Sequence, residues 1–209
     1  MTGPAGPVVV VNYGMGNLRS VVNAFAAAGG DVTVSADPHD LDGAGSVVLP
    51  GVGAFGDGMA KLGSGGWLEP LTAVADRGVP VLGICLGMQL LASTSEEHGV
   101  HRGLGWIPGR VTRLRSTDPA IRIPHIGWND VEIVAPSPIL ADLGPQPAFY
   151  FVHSFALEPD APGVSAVCTH GAPFAAVVQR DNVFGVQFHP EKSHVTGIRL
   201  LSNFLALER

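Results

Sequence analysis

Cys85 stands in Gly83-Ile84-Cys85-Leu86-Gly87, the form of a nucleophile elbow with a thiol in place of the hydroxyl. Such an elbow holds the nucleophile on a strained turn from strand to helix. The residues two before and two after it must be small, because a Cβ at either would collide with the turn. Val-rich sequence before Cys85 and Met88-Gln89-Leu90-Leu91 after it supply the strand and the helix. A helix N-terminus favours a thiolate and lowers the thiol pKa from about 8.5. The N–H of Leu86 would point at any oxyanion formed by attack on a carbonyl. The ordinary reading of such a residue is a buried, inert thiol.

His189-Pro190-Glu191 is the second element. Proline pushes the preceding residue out of the helical region, so His189 is extended and projects to the same side as Glu191. One can act as base toward Cys85 while the other fixes its tautomer, the logic of a triad. The alternative is an exposed surface loop. His-x-Glu also begins a zinc-deaminase signature, but no Pro-Cys-x-x-Cys follows, which disfavours metal. The third element, Gly51-Val52-Gly53-Ala54-Phe55-Gly56, matches the dinucleotide fingerprint letter for letter. Its context fails: it follows the third strand, and the next strand ends at Cys85 where a ribose-binding acid is expected. A glycine turn, or a backbone segment whose N–H groups act as oxyanion donors, remains. Cys168 and His170 are also two apart, but Cys168 lacks an elbow and reads as a core thiol of a strand.

These residues need a scaffold. Val8 to Asn12 is an apolar run, and Leu18, Val21, Val22 and Phe25 then recur at helical spacing, with Asn17 as N-cap and Gly29 as C-cap. Asp31 to Ser35, Ser46 to Leu49 and Val79 to Ile84 read as further strands, with a helix carrying Leu68, Leu71, Val74 and Ala75 between the last two. That rhythm predicts a mainly parallel sheet with helices on both faces. From about Gly105 the texture changes to runs at Arg110 to Leu114, Trp128 to Val134, Ala148 to Val152, Val164 to Thr169, Phe174 to Val178 and Val183 to Phe188. With few helices between them, part of this half pairs antiparallel. Ile198, Leu201, Phe204 and Leu205 form a last helical face after Ser193. The expectation is one α/β domain over residues 1–209, an open mixed sheet flanked by helices.

Composition narrows the class. Of 209 residues 28 are Gly and 17 are Pro, and only 14% are charged against a usual ~25%. With 46% hydrophobic residues and a net charge of -6, the chain has enough apolar surface to fold, which disfavours disorder. Its 12 Lys and Arg are scattered without a basic run, so nucleic acid is not expected as a partner. Two cysteines make no disulfide framework, and nothing before Arg19 resembles a signal peptide; a cytoplasmic protein is expected. Gly78 to Ser95 is uncharged over about the length of a membrane helix, but Pro80, Gly83 and Gly87 interrupt it. A buried strand, a tight turn and a helix fit better, and no membrane span is expected.

Pro50 to Gly53, Gly83 to Gln89 and Gly185 to Ser193, three motifs in this order, resemble the class I (triad) glutamine amidotransferases. The resemblance implies Cys85 as nucleophile, His189 as general base and acid and Glu191 as its orienting partner. It implies oxyanion donors at the Val52 and Leu86 N–H groups and glutamine held near Gly51, Gly53 and Gln89, with no metal or organic cofactor. Asn12 to Leu18, Pro50 to Phe55, His125 to Asn129 and Tyr150 to Phe155 are similar to one group within that family, the glutaminase subunits of imidazole glycerol phosphate synthases. That likeness runs from about Val9 to Leu205. It implies that Tyr150, His153 and Ser154 line the glutamine pocket, with Phe155 where Tyr is more usual. It further implies a cyclase subunit with a (β/α)8 barrel as partner in a heterodimer, faced by Asn12, Asn17, His125, Trp128, Asn129 and Lys192.

Overall fold

The computed structural model describes residues 6–208. Its strands in chain order are β1 (Val8–Val11), β2 (Val32–Ser35), β3 (Ser46–Gly51), β4 (Val81–Cys85), β5 (Ala92–Ser95), β6 (His101–Arg102), β7 (Ile107–Arg113), β8 (His125–Asp130), β9 (Glu132–Ile133), β10 (Ala148–His153), β11 (Phe155–Leu157), β12 (Val164–His170), β13 (Ala172–Arg180) and β14 (Val183–Val186). The helices are α1 (Leu18–Ala27), α2 (Phe55–Ser64), α3 (Leu68–Asp76), α4 (Leu86–Leu90) and α5 (His194–Leu205).

The main sheet has eight strands in the order β2-β1-β3-β4-β14-β13-β12-β9. The five from β2 to β14 run parallel, whereas β13, β12 and β9 are joined antiparallel. The mixed, mainly parallel sheet read from the sequence is therefore present. β8 pairs with β10 in a separate two-stranded ribbon, and β11-β7-β5-β6 form a third sheet. Parallel strands covered on both faces read as unbroken apolar runs, and β1, four valines, is buried throughout. Its alternation divides the core: Val8 and Val10 pack with Phe25, Phe151 and Phe204 on one face, Val9 and Val11 with Phe55, Leu62 and Trp67 on the other.

Some boundaries differ from the sequence expectation. β3 continues through Gly51, and β4 starts at Val81 and includes Cys85. The run expected over Trp128 to Val134 is divided between β8 and β9, which belong to different sheets. Asn17 occupies the position before α1, but its side chain makes no capping hydrogen bond. Gly29, one residue past Ala28 with φ +90°, closes α1 as expected: its N–H bonds to the Ala26 carbonyl at 3.0 Å and the next N–H, of Gly30, to the Phe25 carbonyl at 2.9 Å. Gly78 to Ser95 folds as β4, a tight turn, α4 and β5, and none of the described helices is long and apolar enough to cross a membrane.

Candidate active site

β4 and β14 are neighbours in register, Gly83 opposite Gly185 and Ile84 opposite Val186. Cys85 at the end of β4 and His189 just beyond β14 are thereby brought to one edge of the sheet. Cys85 has φ 54° and ψ -110°, a region that side-chain-bearing residues seldom occupy. Close packing holds it there. A Cβ at Gly87 would run into the Leu49 carbonyl oxygen, and one at Gly83 would come within 2.7 Å of the Gly87 carbonyl oxygen. Gly51 lies opposite Cys85 in the β3–β4 register. A Cβ at Gly51 would meet the Leu86 Cβ at 2.9 Å. α4 begins at Leu86, so the Leu86 N–H is one of the first-turn donors without an intrahelical acceptor.

His189 is held from several sides. Its N–H donates to the Tyr150 carbonyl at 2.9 Å, its carbonyl accepts from Ser193 Oγ at 2.6 Å, and its ring Nδ1 meets Glu191 Oε1 at 2.7 Å. The two side chains are only 5% and 3% exposed. Burial opposes a charge on the imidazole, but hydrogen bonds to Cys85 and Glu191 and their negative charges outweigh it and push His189 up to about 9. His189 is thus held charged at neutral pH between a sulfur and a carboxylate.

A cavity of about 320 Å³ opens over the thiol. Val52, Gly53, Cys85, Leu86, Gln89, His153, Ser154, His189 and Lys192, all singled out in the sequence, line it. Two expected residues do not. Gly51 sits behind the elbow, where it provides clearance. Tyr150 lies on the outward side of β10, two residues and about 6.6 Å before Val152, with its ring against Trp128 and 5.8 Å from Lys192 Nζ. Glu97, Pro124, Val152 and Phe155 complete the lining without having been anticipated as site residues. Glu97 accepts the Phe55 N–H at 2.7 Å and so caps α2, whose N-cap residue Ala54 offers no side-chain bond.

Of the residues expected to face a partner, Trp128 is 48% exposed and stacks on His194 at 5.2 Å. Asn17 and Lys192 are exposed and Asn12 and Asn129 are half-buried. His125 is a correction: it opens β8 on the inward side and is only 3% exposed, between the rings of Phe151 and His170. Burial, with His170 nearby, pushes His125 down to about 4, and burial pushes His153 down to about 3. Cys168 is a buried strand residue, as its setting predicts, and burial pushes its thiol up to about 12. Among the described residues no group of three His, Cys, Asp or Glu is arranged to hold a metal ion.

Residues 9–207 match the family model for "Glutamine amidotransferase class-I". The chain is 47% identical over 202 residues, 94% of its length and 98% of the relative's, to the imidazole glycerol phosphate synthase subunit HisH of Syntrophotalea carbinolica. It is 49% identical over 206 residues, 95% of this chain and 92% of the relative, to the subunit of the same name from Halobacterium salinarum. Among solved structures, a glutamine amidotransferase superposes with a TM-score of 0.75 at 20% identity, covering 97% of this chain and 99% of that one. The structure of PurLQS from Thermotoga maritima matches with the same TM-score and identity, over 98% and 100%.

Proposed function

The chain belongs to the class I glutamine amidotransferase family, and on that premise we propose that it is the glutaminase subunit of imidazole glycerol phosphate synthase, hydrolysing glutamine and passing the ammonia to a cyclase subunit. The observation that carries the reading is the buried His189 ring beside the Cys85 sulfur at the mouth of the elbow, with its Nδ1 2.7 Å from the Glu191 carboxylate. The Cys85 thiolate attacks the side-chain amide carbon of glutamine. The resulting oxyanion is stabilised by the Val52 and Leu86 N–H groups. His189 gives a proton to the departing nitrogen, ammonia leaves, and a glutamyl thioester remains. His189 then takes a proton from water, which attacks the thioester and releases glutamate. Glu191 orients the imidazole throughout.

The cavity suits this substrate. Glu97 offers a carboxylate to the α-ammonium group, while Gly53, Gln89 and Ser154 offer backbone and polar contacts to the rest. Ammonia released into water would protonate and diffuse away, so an acceptor must be close. We assign the acceptor chemistry to a second chain, the cyclase subunit. We read that chain as a (β/α)8 barrel that makes imidazole glycerol phosphate and aminoimidazole-carboxamide ribonucleotide. Exposed Val52, Ile126, Trp128 and Val152, at 36–61% accessibility, form an apolar rim suited to being covered by it. Residues 1–209 act as one domain, in the cytoplasm and without a cofactor.

Glutamate release from glutamine, measured with the purified chain alone and with the cyclase subunit and its nucleotide substrate, tests the proposal. Turnover should rise on mixing and be lost in Cys85→Ala. Glutamate release that survives that substitution, or that ignores the partner, overturns it.

A further inference from the structure

Beyond the triad, a set of linked hydrogen bonds reaches from the Cys85 sulfur through the cavity wall to Asn129 of β8. Gln187, fully buried at 0% exposure, places its side-chain Nε2 3.8 Å from Cys85 Sγ. Its Oε1 accepts from Gln89 Nε2 at 3.0 Å, and the same Gln89 nitrogen donates to the Phe155 carbonyl at 2.8 Å. That carbonyl also meets His153 Nδ1 at 3.0 Å. His153 Nε2 lies 3.1 Å from His125 Nδ1, and His125 Nε2 lies 3.2 Å from Asn129 Nδ2.

Only one assignment of protons satisfies every link. A carbonyl oxygen only accepts, so the Phe155 oxygen obliges both His153 Nδ1 and Gln89 to donate. His153, if neutral, then accepts at Nε2, so His125 carries its proton on Nδ1 and accepts at Nε2 from Asn129. The Asn129 amide is itself fixed, because its Oδ1 accepts the Asp130 N–H at 2.9 Å and its Nδ2 donates to the Thr169 carbonyl at 3.0 Å. At the other end, donation by Gln89 leaves Gln187 no choice but to accept from it and to turn its N–H toward the sulfur. A second neighbour acts oppositely: the Val152 carbonyl, 3.9 Å from Sγ, can accept from a thiol and repels a thiolate.

We propose that Gln187 donates its amide N–H to the Cys85 thiolate, and that Gln89, itself oriented by the Phe155 carbonyl, is the positioning residue that fixes the direction of that donation. Gln187 has a chemical role at the reacting sulfur, separate from the oxyanion donors. The proposal rests on the reading of Cys85 as the nucleophile.

The test is the pH dependence of Cys85 alkylation by iodoacetamide in the full chain, followed at the Cys85 peptide, with buried Cys168 as an unreactive comparison. The titratable groups facing the sulfur are His189, with Glu191 behind it, and Tyr13, while His153, Glu97 and Lys192 line the same cavity; all are unchanged in the variants. Gln187→Glu is isosteric and puts an acceptor at the sulfur, so the midpoint should rise by about one unit or more. Gln187→Met removes the donor without adding charge; it should raise the midpoint by about half a unit and stands in if the Glu variant fails to fold. Gln89→Leu frees the Gln187 amide to turn and should move the midpoint in the same direction by a few tenths. An unmoved midpoint in both Gln187 variants overturns the proposal; a shift there but none in Gln89→Leu overturns the positioning role of Gln89. Alkylation reads the thiol whether or not glutamine is turned over. Failure of wild-type glutaminase activity with a midpoint that still shifts would therefore count against the proposed reaction and not against this contact.

Discussion

The two sides of the cavity are built on different principles. On the elbow side, β3, β4 and α4 approach so closely that Gly87 touches the Leu49 carbonyl and Gly83 touches Gly87, and Cys85 is forced to positive φ. On the far side, His189, His153, His125 and Gln187 are held by hydrogen bonds whose partners allow one proton arrangement. Steric fixation tolerates no added volume but is indifferent to chemistry. Hydrogen-bond fixation tolerates a change of volume better than an exchange of donor for acceptor.

The strongest way to break the contrast is Gly87→Ala. One methyl against the Leu49 carbonyl should prevent the elbow from closing, with a loss of several kcal/mol of stability and of all glutaminase activity, read by thermal unfolding and glutamate release. The far side should answer differently: Glu191→Gln keeps the volume and an oxygen that can accept from His189 Nδ1, so the melting temperature should fall far less than in Gly87→Ala. Turnover should nevertheless fall by roughly 10²- to 10⁴-fold, because the imidazole loses its anionic partner. A collapse of stability there would erase the distinction.

A finer comparison is Cys85→Gly against Cys85→Ala. Both are inactive, but glycine relieves the strained backbone, so it should be the more stable by roughly 1–2 kcal/mol in denaturant unfolding; equal stability would show that the elbow stores no strain. The mildest effect is acid sensitivity. His125 and His153 are held at about 4 and about 3 against an ordinary 6.5, so the unfolded chain takes up protons first. Their contribution is present above about pH 6.5 and drains away as pH falls toward 4. Replacing His153 with Gln should flatten the decline of melting temperature over that interval, and an unchanged slope would place the acid sensitivity elsewhere.

Much of the elbow side was legible in the sequence for the same steric reason: when only small residues fit, Gly83, Gly87 and Gly51 announce the turn. The His-Pro-Glu arrangement was legible because proline restricts its neighbour. Residues whose positions depend on parity along a strand were not. His125 and Tyr150 share motifs with exposed and cavity-lining neighbours, yet the pleat sends His125 into the core and Tyr150 toward Trp128. α2 was hidden because Gly56, Gly58 and Gly63 are poor helix formers. It is sustained by burial of Phe55 and Leu62 and by the carboxylate of Glu97. Glu97 itself was missed because its partner is 42 residues away in the chain, a distance that no local pattern spans.

The adjacency of β4 and β14 has an evolutionary consequence. Cys85 and His189 hang from neighbouring strands locked in register, while residues 92–130, β5 to β8, loop out between them and contribute to the two smaller sheets. Insertions, deletions and wholesale remodelling of that excursion leave the spacing of Cys85 and His189 untouched, whereas a one-residue slip between the two strands ruins it. On the proposed function, such a layout would let the excursion be rewritten toward a different ammonia acceptor while the Cys85–His189 pair stays in place.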